Sequence, residues 1–446
     1  MNIKKIIILS LLKFSGSGVP KKLKIIKGYW EYSDKEKINL QTDKLKNLLL
    51  DAYQSVPYYK KIFTEYGVVS RGGDVDLTKY SGLPFLTKDI IIEQGEKMYS
   101  FKHAERKSYE NSSGGTTGEP IRFIQDKEYD EWNNATKLFF NKQVGKDIGE
   151  REIKLWGSDR DIIEGTLGWK ENLKSKLFSR KFFNCYNFAD KDMKRLFDLN
   201  NSFEPVYYWA YVEAAYEFAK YINKNNLKLK SPKTVATSIG PLHDFQREVI
   251  KKAFDCPVYN QYGSREVGII ACQDKEIGDL NVYFWRHLVE IIPKSDNQTG
   301  EIVVTCLDNY SMPLIRYKIG DVAILGGESN IIDGIISSFS IKNVVGRTLG
   351  FFKRPNGDLI HTHYLVQQMF FHEWLKRFQI IQEKSNKIFC LLEIRDDFDE
   401  PSQGQIKAIE KKMKIFLGDE FEINFEIVDK ILPSKSGKYV YTICKI

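Results

Sequence analysis

The sequence predicts an α/β protein with two parts: a large N-terminal domain of helix-covered sheets plus a β-rich subdomain, then a small α+β C-terminal domain. Three observations lead there. A chain of 446 residues exceeds what one ordinary hydrophobic core organises. Residues 205–263 alternate between apolar strand-like runs and amphipathic helices, the pattern of a largely parallel, helix-covered sheet. The last stretch changes to a strand–helix–strand pattern of its own, about 100 residues long, an ordinary domain size.

The elements follow in order. Residues 43–56 place Leu45, Leu48, Leu49, Ala52, Tyr53 and Val56 at helical spacing, and Pro57 stops them. Tyr129 to Val144 reads as another helix. The run Val206-Tyr207-Tyr208-Trp209 is strand-like and leads into a helix carrying Val212, Ala215, Tyr216, Ala219 and Ile222. A buried strand over 233–239, a helix over 244–254 and a strand around Val258 complete the alternation. From Leu288 to Leu325 several short strands are expected, Glu301–Thr305 among them. Residues 388–394 read as a strand and 405–417 as a helix burying Ile406, Ile409, Met413 and Phe416. Strand 421–428 alternates strictly, with Phe421, Ile423, Phe425 and Ile427 on one face. The boundary is expected near Gly346-Arg347, giving domains 1–346 and 347–446.

Composition narrows the function classes. With 42% hydrophobic and 28% charged residues the chain is an ordinary globular one. Its net charge of +8 is dispersed among interleaved acids, so no basic stripe marks a nucleic-acid binder; anionic substrates fit it. The six cysteines are scattered without a Cys-x-x-Cys pair, as in a reducing cytoplasm, and zinc is disfavoured. His361 and His363 share a face if their segment is a strand, but no third ligand accompanies them. The apolar run Ile6–Leu12 is too short to span a bilayer, which takes ~20 residues. It is expected to form an amphipathic entry segment able to touch a membrane surface, at most a peripheral contact.

The most informative stretch is Ser112-Ser113-Gly114-Gly115-Thr116-Thr117-Gly118-Glu119-Pro120. Glycines let a backbone turn tightly and approach a ligand, while Ser and Thr add hydroxyl donors, and such a loop can wrap polyphosphate oxygens. No Gly-Lys-[Ser/Thr] follows, so it is not a Walker loop. Four more segments follow in order: Tyr262-Gly263-Ser264-Arg265-Glu266, Arg316-Tyr317-Lys318-Ile319-Gly320-Asp321, Val345-Gly346-Arg347-Thr348 and Leu432-Pro433-Ser434-Lys435-Ser436-Gly437-Lys438.

Together these segments resemble the motifs of the adenylate-forming superfamily. The flanks Tyr53–Tyr59, Leu83–Lys88 and Ser311–Tyr317 are similar to its phenylacetate–CoA ligase branch, and most of all to relatives encoded among capsule and O-antigen biosynthesis proteins. The resemblance covers nearly the whole chain. It implies an ATP-dependent, AMP-forming ligase that makes an acyl-adenylate, then passes the acyl group to CoA or to an amine or hydroxyl of a sugar or amino acid. A catalytically silent adenylation-fold scaffold is the rival reading.

Roles are implied residue by residue. Ser113, Gly114, Gly115, Thr116, Thr117 and Gly118 would hold the β- and γ-phosphates of ATP, Gly114 standing where Ser is common. Tyr262 would stack on adenine with Gly263, Ser264 and Arg265 beside it, and Gly240 and Pro241 would also belong to the nucleotide site. Arg265 stands where Thr or Ser is usual. Glu266 resembles the Mg²⁺-associated carboxylate and Asp321 the acid that accepts from the ribose hydroxyls. Arg347 would reach the ribose or phosphates. Lys438, on the small mobile domain, would be the catalytic cation. After Arg347 the usual acidic hinge residue is replaced by Thr348-Leu349-Gly350. Trp209, Ala210 and Tyr211 resemble one wall of the acyl site, with His243 either near it or structural. The acid, the acceptor and the oligomeric state are not specified by the sequence.

Overall fold

A computed structural model describes residues 2–112, 121–156, 173, 175–185, 190–293, 299–326, 330–332, 335–347, 351–355, 359–370, 372, 374–396, 398–432 and 440–446. The chain divides into two compact units, Met1–Ile319 with Ala323–Val344, and Gly320–Val322 with Val345–Ile446.

The first unit begins with the helices Ile3–Phe14, Val19–Tyr29, Asp34–Ser55 and Pro57–Tyr66. The third starts nine residues before the apolar period does. Ser33 sets its origin, since the Glu36 carboxylate accepts from the Ser33 backbone N–H at 2.8 Å and closes a capping box. Leu45, Leu48, Leu49 and Ala52 are buried at the predicted spacing. Pro57, lacking an N–H, ends this helix and opens the next.

Among the described residues the large sheet has eleven strands. Five run parallel, in the order Arg180–Asn184, Glu152–Trp156, Tyr207–Tyr211, Thr234–Ser238 and Val258–Ser264. The helices Val212–Lys224 and Asp244–Phe254 are the crossovers that parallel pairing requires. The expectation of a largely parallel sheet stops at Val258–Ser264. A tight turn sends the chain straight back along Gly268–Cys272, and antiparallel pairing continues through Leu280–Val282 to Ser340–Arg347. Tyr317–Leu325, Thr299–Cys306 and His287–Pro293 complete this edge, in that order. Val258–Ser264 is therefore the strand where parallel pairing gives way to antiparallel.

Arg316, in the third motif, is buried and fastens a loop to this sheet. Its guanidinium is bidentate on Glu290 (3.2 and 2.9 Å) and donates to the carbonyls of Ser81 and Leu83, both at 2.6 Å. The Phe85 ring lies 4.4 Å away. Leu86 then pairs with the Arg316–Lys318 backbone.

In the second unit the strands Glu422–Ile427, Lys387–Ile394, Leu375–Lys384 and Thr442–Cys444 form one sheet in that order. The helix Gln403–Leu417 buries Ile409 and Met413 on it, with Ile406 only partly covered. The alternating face of the strand Glu422–Ile427 grades from buried Ile423 to exposed Ile427. Among the described residues no helix is long and apolar enough to cross a membrane.

Beneath the parallel strands lies a buried ion cluster. Glu152 is 1% exposed and accepts from Lys146 and, at 2.9 Å, from Arg180. Burial pushes its pKa up, but Lys146, Arg180 and Lys137 outweigh this and hold the carboxyl at about 2, against 4.5 ordinarily. Between those values the unfolded chain binds the extra proton, so stability rises with pH there and is lost as pH falls through it. Glu152→Gln should flatten the acid limb of a pH–stability profile measured by denaturant unfolding. An unchanged limb would show that other carboxylates govern acid unfolding.

Candidate functional site

The candidate site is built around the ends of two hairpins. The strands Tyr109–Ser112 and Arg122–Gln125 pair antiparallel with Ser112 opposite Arg122, so the predicted phosphate loop is the connection at the tip of a hairpin. Residues 113–120, which carry Ser113 to Gly118, lie outside the described residues. The stalk is fixed by buried Ile121 and Phe123 and by Asn309, whose amide donates to the Ile124 carbonyl at 3.0 Å. Asp126 follows directly. It caps the helix Lys127–Gln143 by accepting from Tyr129 N–H at 2.9 Å, and accepts also from the N–H groups of Tyr310 and Ser311.

The second hairpin carries Tyr262–Glu266. Gln125, the last residue of the stalk, donates its side-chain amide to the carbonyls of Arg265 (2.9 Å) and Glu266 (3.1 Å). His287 accounts for the next carbonyl, its Nε2 lying 2.9 Å from Val267 O. Burial, reinforced by the Arg286 charge, lowers the His287 pKa to about 3, so the ring is neutral and donates. Three successive carbonyls of the turn are thus held, two of them by the root of the predicted phosphate loop. This places Tyr262, Ser264, Arg265 and Glu266 beside the stalk from which residues 113–120 emerge.

Within the turn, Tyr262 and Glu266 are buried while Arg265 is exposed. Glu266 is 7% exposed, yet no described residue donates to its carboxylate. Gly263 has a reason internal to the hairpin. A Cβ there would lie 2.4 Å from the Gly268 carbonyl oxygen, at the register shift between Tyr262 and Gly263. Gly268 adopts φ +76°, and a Cβ on it would meet Asn133 Oδ1 at 2.4 Å.

At the end of the neighbouring strand Thr234–Ser238 stands a residue the sequence gave no reason to single out. Ile239 has φ +77° and is 39% exposed. A β-branched residue in that region is a backbone outlier, and such strain gathers where a ligand is gripped. It immediately precedes Gly240 and Pro241. His243 then occupies the N-cap of the helix Asp244–Phe254. Its backbone N–H donates to Gln246 Oε1 at 3.1 Å, and its ring stacks on Phe245, which gives it a structural place.

The proposed acyl wall is divided by the pleat. Trp209 and Tyr211 share a face, both against Trp156 at 5.0 and 4.3 Å between ring centroids. Ala210 points to the opposite face and is fully buried, so it is no part of a common wall. The shared face also carries two lysines absent from the sequence reading. Lys137 Nζ sits 3.5 Å from the centre of a Trp209 ring and Lys154 Nζ 4.7 Å from it. The register Lys154 opposite Trp209 is the signal that could have found this pair. Among the described residues Trp209 Nε1 is buried with no acceptor, while Lys137 feels the nearby Glu152 carboxylate. Burial first, then Arg180 and Lys154, pushes the Lys137 amine well below its usual range.

Asp321 is half-buried on the strand Tyr317–Leu325, after Gly320 at φ +85°, and groups with the second unit. Arg347 ends the strand Ser340–Arg347, with its side chain outside the description. Thr348–Gly350 and Lys438 lie outside the described residues, as do the side chains of His361 and His363. No group of three metal-ligating side chains occurs among the described residues.

Comparison with known proteins places this arrangement. The CapK C-terminal domain matches residues 352–445. The protein CapK of Staphylococcus aureus is 27% identical over 382 residues, 84% of this chain and 82% of that protein. The chain is thus similar to CapK over most of its length, and its fold is that of the ligases that follow. The fold likeness spans both units. A 2-hydroxyisobutyryl-CoA ligase, solved in its postadenylation state with an acyl-AMP, superposes with a TM-score of 0.69 at 14% identity, over 93% of this chain and 90% of that one. The anthranilate-CoA ligase AuaEII, solved with anthranoyl-AMP, gives 0.52 at 12% identity over 74% and 64%.

Gly263→Ala should disturb this hairpin through its backbone. The added methyl must displace a carbonyl, at a cost on the order of 1–3 kcal/mol. A lower melting temperature is expected; an unchanged one would refute the clash.

Proposed function

We propose that this chain is an ATP-dependent, AMP-forming carboxylate ligase. The observation that carries the reading is the joining of the predicted phosphate-loop stalk, through Gln125, to the turn that holds Glu266, whose carboxylate no described residue donates to. A carboxylate with no protein donor is open to a cation. Mg²⁺ takes one or two carboxylates plus phosphate oxygens, and Glu266 fits that donor set. Bound there, it would neutralise phosphate charge.

In the first step a substrate carboxylate oxygen attacks the α-phosphorus of ATP. The bond to the bridging oxygen breaks and pyrophosphate leaves, giving an acyl-adenylate. Two anions must be brought together, so positioning and positive charge are what the protein has to supply. In this reading residues 113–118 hold the β- and γ-phosphates, while Tyr262, with Gly240 and Pro241, bounds the adenine. Asp321 accepts from the ribose hydroxyls, Arg347 reaches ribose or phosphate, and Lys438 sits between the carboxylate and the α-phosphate. In the second step the acyl group passes to the thiol of CoA. A relative of this fold, the 2-hydroxyisobutyryl-CoA ligase, has been solved with both its acyl-AMP and CoA. An amine or hydroxyl of a sugar or amino acid is the alternative acceptor. ATP and CoA as co-substrates accord with a cytoplasmic enzyme.

The Trp156–Trp209–Tyr211 face is the acyl wall in this reading, and its chemistry describes the acid. An indole N–H without an acceptor among the described residues, with the Lys137 and Lys154 amines against the same ring, suits an acyl group bearing a second anion rather than a plain hydrocarbon.

Carboxylate-dependent ATP–pyrophosphate exchange with matched mono- and dicarboxylic acids tests both levels. Exchange in the native chain that Lys438→Ala abolishes is the expected result. Lys137→Met should cut kcat/KM on the order of tenfold for the dianionic acid and leave its monoanionic counterpart unaffected. ATP binding without exchange for any acid would refute the ligase reading. Exchange favouring monoanions, or insensitive to Lys137→Met, would refute only the second anion.

A further inference from the structure

The helix Ile3–Phe14 has two apolar faces, and only one of them is used. The inner face is fixed to the first unit. Ile8 is fully buried, Lys5 pairs with Asp147 at 3.0 Å, Lys4 donates to Ser179 Oγ at 2.7 Å, and Asn2 donates to the Ile148 carbonyl at 2.9 Å. The helix is therefore a rigid part of the body rather than a loose end. Its outer face presents Ile3 (67% exposed), Ile6, Ile7, Leu11 and Phe14 (90% exposed) to solvent. At 100° per residue these five span roughly 140° of the helix, a stripe broken within its arc only by Ser10, with Lys4 on one flank and Lys13 on the other.

Charge decides what covers this stripe. Residues 1–30 contain seven lysines and no Asp or Glu. Lys22 is turned inward onto Glu128 and Glu131, but Lys4, Lys13, Lys21, Lys24 and Lys27 are exposed. Elsewhere Asp and Glu are interleaved with the cations, so this opening segment is the exception in an otherwise mixed surface. A large apolar stripe bordered by lysines and free of acids has the chemistry of a helix that lies in the interface of an anionic bilayer. At twelve residues the helix is too short to cross one.

We propose that the stripe Ile3–Phe14 docks this chain on an anionic lipid surface, its apolar side chains entering the headgroup boundary and the neighbouring lysines facing the headgroups. The contact is peripheral and reversible. It is independent of the catalytic reading, because none of these residues belongs to the candidate site.

Co-sedimentation of the full chain with vesicles tests this. The native chain should pellet with vesicles of equal parts phosphatidylcholine and phosphatidylglycerol, stay in solution with phosphatidylcholine alone, and be released by high salt. Ile7→Ser with Phe14→Ser should weaken vesicle binding on the order of tenfold or more, through lost apolar burial. Its melting temperature should hold, since both positions are exposed. Lys13→Ala should weaken binding on the order of fivefold. Failure of the native chain to pellet with the mixed vesicles would overturn the proposal, as would a double variant that pellets equally well. A dimer in analytical ultracentrifugation that the double variant splits, without vesicle binding, would assign the stripe to a second copy and overturn the lipid reading.

Discussion

Everything that can be said of the candidate site depends on how one tight turn keeps its carbonyls satisfied. Residues 264–267 reverse the chain between two strands of the large sheet, where inter-strand hydrogen bonds are lost and buried carbonyls need other donors. Gln125 supplies two and His287 a third. Each such bond contributes only ~1 kcal/mol net, but leaving the partner unmet costs about 1–3 kcal/mol. The turn is therefore held to the root of the phosphate-loop hairpin by the penalty of letting go. Glu266 is carried to its place by that constraint.

The location of the turn follows from topology. Val258–Ser264 is the last parallel strand and the first to receive an antiparallel neighbour. Parallel strands need long crossovers, so their ends are occupied by loops and helix starts; an antiparallel return needs only a tight turn. Where the two regimes meet, the strained Ile239 corner, the Tyr262–Glu266 turn and the hairpin bearing residues 113–120 have separate reasons to exist. Ligand sites in open α/β sheets lie outside the carboxyl ends of the parallel strands, where the Ile239 corner and the 264–267 turn stand.

Much of the fold was legible because burial imposes a period. Helix 244–254 and strand 233–239 were placed to within a residue or so, the helix because its apolar positions recur at helical spacing and the strand because it is buried throughout. The helix Asp34–Ser55 was found only in its second half, because its first turns rest on a cap and on buried Gln41, which hydrogen-bonds the His287 carbonyl. The site was legible as types in order, not as geometry. Nothing local tells that Arg316 is consumed by Glu290 and two carbonyls, or that Ala210 turns away from Trp209. Lys137 and Lys154 come from a helix and a strand, and only helix packing and strand register together bring them to one indole.

The central claim is that Gln125 acts by positioning the Glu266 carboxylate for Mg²⁺–ATP. A double-mutant cycle on ATP affinity in the presence of Mg²⁺ tests it most directly, using Gln125→Leu, Glu266→Gln and the pair. Each single change should weaken ATP binding on the order of tenfold, and the double variant should be little worse than either, because both remove the same positioned charge. Losses that simply add would contradict the account, showing that the stalk and the carboxylate act independently.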